Sequence, residues 1–147
     1  MNNRWRGIVI LILRIVLGAI FIYAAIGKIA DPAQFAHDIA AYRLLPIYLV
    51  NIFALVLPSI EILAGLGLVM GIWIDAGSAL ILVLISSFII AAGSAMARGL
   101  NIECGCFTLS SSGKVGWDLI ARDVIMLTAA IAVFIHSMGP VAKLDGN

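Results

Sequence analysis

The chain has 147 residues, 63% of them hydrophobic and 12% charged, with a mean hydropathy of +1.16. Soluble domains carry about 25% charged residues, so there is too little polar surface here to coat a globule in water. The formal net charge of +1 and the lack of a basic stripe exclude a nucleic-acid partner and leave the lipid bilayer as the solvent.

Four apolar runs, 7–27, 47–71, 76–97 and 119–138, each reach the ~20 residues that cross ~30 Å of hydrocarbon as helix. No segment alternates apolar and polar residues as a barrel strand would. The expectation is an all-α polytopic membrane protein: a four-transmembrane-helix bundle forming one domain over 1–147. Arg4 and Arg6 ahead of the first run resemble the start of a signal peptide, but Arg14 inside it and the missing small-residue cleavage site favour a retained span. Between spans one and two, Asp31 is placed to cap a short helix, Pro32 suits its first position, and Gln34 occupies the capping-box position. Phe35, Ile39 and Tyr42 share one face of that helix, which is expected to lie along the membrane interface. Spans two and three are joined by "IWID" and must pair as an antiparallel hairpin. Trp5, Trp73 and Trp117 fall at span ends, as aromatic belts do.

Four spans put both termini on one side and loops one and three on the other. Counting Arg4, Arg6 and Lys143 against Lys28, Arg43, Arg98 and Lys114 does not decide the orientation. Arg4 and Arg6, flanking the first span, favour cytoplasmic termini. The cysteine loop, 98–116, is then extracytoplasmic.

Charges inside spans normally face the bundle interior and find partners. Arg14 lies about 21 Å below Lys28 and Glu61 about 22 Å below Pro46, by the helical rise per residue. The matching depths predict an Arg14–Glu61 ion pair that locks spans one and two or lines a cavity. Arg122 and Asp123 lie near the outer end of span four, where they form an interfacial cluster with Asp118 or else point Arg122 at the cysteine loop.

Both cysteines of the chain sit in that loop, as Cys104-Gly105-Cys106. A tight turn at Gly105 can bring their Cα atoms within the ~4.4–6.8 Å a disulfide needs. So short a closed loop removes little unfolded-state entropy and makes a poor staple, whereas strained, exposed disulfides are the ones that exchange. Three readings compete: thiol–disulfide exchange, binding of Cu(I) or Zn(II) with help from His37, and an inert local pair.

Three motifs in order, "GKIADPAQF", "PSIEILAGLGL" and "CGCF…VGWDLIARDVIML", resemble the DoxX-like superfamily, and within it the methylamine-utilisation MauE branch, from about Arg14 to Thr128. The resemblance implies a four-helix membrane bundle in the bacterial cytoplasmic membrane, working beside a thioredoxin-like periplasmic protein in disulfide formation or reduction. It carries the redox pair to Cys104 and Cys106, the span-two acid to Glu61 and the span-four arginine to Arg122. On this reading Cys104, Cys106 and Arg122 are catalytic and no metal site is assigned. More distant relatives imply a second possibility, a quinone-linked oxidoreductase subunit, with a membrane quinone near Arg122 and Tyr23 and with Glu61 and Arg14 lining its site. A membrane metal-binding or assembly factor is the non-enzymatic alternative, and a homo-oligomer is left open.

Overall fold

The computed structural model describes residues 3–100 and 117–139. Within them lie five helices and no strand: α1 (Asn3–Ala30), α2 (Pro32–Ala41), α3 (Ile47–Met70), α4 (Ile74–Ala97) and α5 (Trp117–Met138). α1, α3, α4 and α5 are each long and apolar enough to cross a membrane. Even the shortest of them, with 22 residues, spans about 33 Å. The chain is thus an all-α polytopic bundle with one short helix between the first two spans.

The four long helices form a ring in which α1 packs on α3, α3 on α4, α4 on α5, and α5 back on α1. Leu17 and Phe21 of α1, Leu68 of α3, Ile81 and Ile85 of α4 and Val133 of α5 fill the shared core. The outer surface is also apolar: Leu63, Val83, Ile90 and Ile125 are all more than 60% exposed. An outer face of this kind is compatible with hydrocarbon and not with water.

α1 and α3 approach closely where Gly18 meets Gly65. A Cβ on Gly18 would sit 2.7 Å from the Gly65 carbonyl oxygen, and one on Gly65 would sit 2.8 Å from that of Gly18. Side chains would hold the backbones apart, so small residues set this crossing. It also fixes the register between the two helices.

α2 begins as its sequence demands. Asp31 Oδ1 accepts from the Gln34 amide at 3.0 Å and Pro32 opens the first turn. The capping box is only half made, because the Gln34 side chain donates forward to Asp38 Oδ1 at 2.9 Å. The helix ends at Ala41, five residues before Pro46. Arg43 turns the chain with φ 50°, and Pro46 directly precedes α3. Phe35, Ile39 and Tyr42 line an apolar groove of about 250 Å³ between α2, α3 and α4. At the other end, the turn from α3 to α4 is 71–73, with Gly71 at φ 75° and Trp73 83% exposed. Arg98, at the end of α4, donates to the Tyr42 carbonyl at 2.6 Å and ties α2 to α4.

Candidate functional site

The buried face of α1 carries Leu17, Phe21, Ala24, Ala25 and Lys28, at three- and four-residue spacing. The buried face of α3 carries Ala54, Pro58, Glu61, Ala64 and Leu68 in the same rhythm. Two of these inward positions are charged, and they meet. Lys28 Nζ donates to Glu61 Oε1 at 2.5 Å, and the two side chains are 2% and 1% exposed. The Lys28 ammonium also lies 5.1 Å from the Phe35 ring centroid and 4.9 Å from that of Phe88. Both distances fall within cation–π range. The ion pair is therefore walled by aromatic rings from α2 and α4.

The sequence expectation of an Arg14–Glu61 pair is corrected here. With Gly18 level with Gly65, Arg14 stands one turn below that crossing and Glu61 one turn above it, about 12 Å apart along the bundle. Side chains on a helix tilt toward its N-terminus. Because α1 and α3 are antiparallel, Lys28 leans down toward the middle and Glu61 leans up to meet it. Arg14 leans the other way, to the C-terminal end of α3. A Cβ at Gly71 would lie 3.2 Å from Arg14 Nη2, so the guanidinium covers the last turn of α3. The negative end of the helix dipole attracts a cation there. Arg14 Nε is buried and has no hydrogen-bond partner among the described residues.

Glu61 is the residue on which sequence and structure agree: an intramembrane acid, buried and paired. Lys28 is what the sequence reading missed, having assigned it to a loop. The signal was present, since Lys28 continues the inward stripe Leu17–Phe21–Ala24. Asp123 was also misplaced. It is 6% exposed and belongs to the core face of α5 with Ala130 and Val133. Arg122 points elsewhere around the helix, with a side chain 39% exposed, yet its Nη2 reaches back to Asp123 Oδ1 at 3.1 Å. Asp123 is thus a partner of Arg122 within the cluster at this end of α5.

Lys28, Glu61 and Asp123 line one small cavity together with Phe21, Ala24 and Met126. Arg122 and Asp118 border a separate, more open groove between α1 and α5. Tyr23 is 54% exposed on the outer face of α1 and lines neither space. Arg14 lines neither of them. Of the four residues of the quinone reading, Glu61 borders the first space and Arg122 the second. Cys104 and Cys106 lie outside the described residues.

Fold and site together define a multi-pass membrane protein with a charged, aromatic-walled core. The model of the family "Methylamine utilisation protein MauE" matches residues 6–136, and the chain belongs to that family. It is 30% identical over 122 residues to methylamine utilization protein MauE of Paracoccus denitrificans, covering 82% of this chain and 66% of that one. The protein of the same name from Methylorubrum extorquens is 33% identical over 111 residues, covering 75% and 60%. That from Paracoccus versutus is 28% identical over 136 residues, covering 92% and 72%. The matched regions span about two thirds of the length of these relatives. No solved structure matches the chain. The family match bears out the MauE resemblance read from the motifs.

Proposed function

We propose that this protein is a membrane thiol–disulfide redox protein in which Cys104 and Cys106 exchange electrons with a thioredoxin-like extracytoplasmic partner. The observation that carries the reading is the Cys-Gly-Cys spacing of the chain's two thiols, in the segment that joins α4 to α5 of a membrane bundle. In one direction, a thiolate of the pair attacks the partner's disulfide. The partner's S–S bond breaks and a mixed disulfide forms. The second thiolate then attacks that bond, so the partner leaves as a dithiol and Cys104–Cys106 is left oxidised, two electrons having passed to the partner. The reverse sequence oxidises the partner. Arg122, near the outer end of α5, supplies a cation that favours the attacking thiolate. The termini face the cytoplasm and the cysteine segment the outside, in the bacterial cytoplasmic membrane. On this reading the exchange serves protein maturation for methylamine utilisation, a setting that the relatives' printed names support. The single domain and the site residues are part of the same proposal.

Trapping tests it. Cys104→Ser or Cys106→Ser should leave a mixed disulfide that accumulates in cells and dissolves on reduction, with a thioredoxin-like protein released. Absence of any adduct from both variants would remove the exchange reading. A change in the thiols' redox state on adding quinol alone, with no partner protein, would replace it with the quinone-linked one.

A further inference from the structure

The cavity between Lys28, Glu61 and Asp123 has a volume of about 20 Å³. One water molecule needs about 10–15 Å³ and two to four polar partners. The partners are present. Glu61 Oε2 is buried and accepts no hydrogen bond from the described residues, while its other oxygen is held by Lys28. An unsatisfied carboxylate oxygen in a bundle core is costly, and such atoms call for a bound donor. Asp123 faces the same space from α5, with Oδ1 engaged by Arg122. Lys28 has three N–H donors, one of them spent on Glu61.

We infer that this cavity is a binding site for one water molecule bridging Glu61 Oε2 and the Asp123 carboxylate. The water's two O–H groups donate to the two acids and its oxygen accepts from Lys28, so Glu61 Oε2 gains a donor and Lys28 a second acceptor. The bridge makes one hydrogen-bonded chain of Lys28, Glu61, water, Asp123 and Arg122, crossing from α1 through α3 to α5. It is independent of the thiol chemistry, since no cysteine takes part.

Radiolytic hydroxyl-radical labelling of the protein in lipid nanodiscs tests it, because a bound water oxidises the side chains beside it even where bulk water cannot reach. Phe21, 4% exposed and lining the cavity, is the reporter; Leu68, 0% exposed and outside it, is the control. With each rate divided by the intrinsic reactivity of its side chain, Phe21 should be oxidised clearly above Leu68 in the wild type. Ala24→Leu, which fills the cavity without replacing a charged residue, should reduce Phe21 labelling to the background level. Asp123→Leu, which removes one acceptor, should do the same and serves if Ala24→Leu does not fold. Asp123→Asn keeps an acceptor and should retain the labelling. A wild-type Phe21 as unreactive as Leu68 would overturn the inference, as would Phe21 labelling that survives in a folded Ala24→Leu or Asp123→Leu protein.

Discussion

The two ends of the α1–α3 interface treat the same problem differently. Above the Gly18–Gly65 crossing, the cation Lys28 meets a carboxylate and two aromatic rings and is removed from the surface altogether. Below it, the cation Arg14 meets no carboxylate among the described residues and lies across the carbonyl end of α3. Both cations stand on one stripe of α1, separated by 14 residues, or about 21 Å. What differs is the backbone opposite. Glu61 stands above the crossing and leans toward Lys28, whereas only a helix terminus is available to Arg14. The register set by two glycines, rather than the charge on α1, decides which cation is neutralised. One end is a buried ion pair that breaks at high cost; the other is a cation on a dipole, worth little.

The largest effect should come from breaking the paired end on one side only. Glu61→Leu leaves Lys28 charged and buried, and losing one partner of such a pair costs about 3–5 kcal/mol in soluble proteins. Thermal unfolding in detergent micelles should show a fall of that order. A loss no larger than that from an exposed substitution such as Leu63→Ala would mean the pair is not buried. Next comes the crossing itself. Gly18→Ala introduces a Cβ 2.7 Å from a carbonyl oxygen and from Val69, and overpacking of this kind costs about 1–3 kcal/mol. The same assay should place it between Glu61→Leu and the wild type, and Gly7→Ala, where nothing lies within 4 Å, should be silent. The smallest effect belongs to the unpaired end. Arg14→Leu removes a cation from a helix C-terminus, typically worth about 0.3–1 kcal/mol. A loss as large as that of Glu61→Leu would show that Arg14 holds a carboxylate after all.

Much of the architecture was legible in the sequence because the bilayer demands it. Twenty or so apolar residues can only be a span, and the Asp31–Pro32 start of α2 can only open a helix. Glu61 was legible for the same reason, since an acid at mid-span must be buried and paired. Its partner was not. Hydropathy closes the first span at Gly27, while the helix runs on to Ala30 and carries Lys28 inward. Reckoning depth from the loop ends also ignored the direction in which side chains lean, which brings residues from different levels together. Moving Lys28 from loop to core leaves the positive-inside count even, with Arg43, Arg98 and Lys114 on one side and Arg4, Arg6 and Lys143 on the other. Asp123 was misjudged because its neighbour Arg122 is exposed; adjacent residues on a helix face different ways, and only the heptad to Ala130 marks Asp123 as inward.

A double-mutant cycle measures the central claim, that Glu61 is coupled to Lys28 and not to Arg14. The single variants Glu61→Leu, Lys28→Leu and Arg14→Leu, and the doubles Lys28→Leu/Glu61→Leu and Arg14→Leu/Glu61→Leu, are compared by unfolding in the same micelles. Residues in direct contact show interaction energies of about 0.5–3 kcal/mol, and distant ones add within about 0.5 kcal/mol. The Lys28 double should recover most of the stability lost by Glu61→Leu, and the Arg14 double should show simple addition. Rescue by Arg14→Leu, with additivity for Lys28→Leu, would contradict the register of α1 against α3.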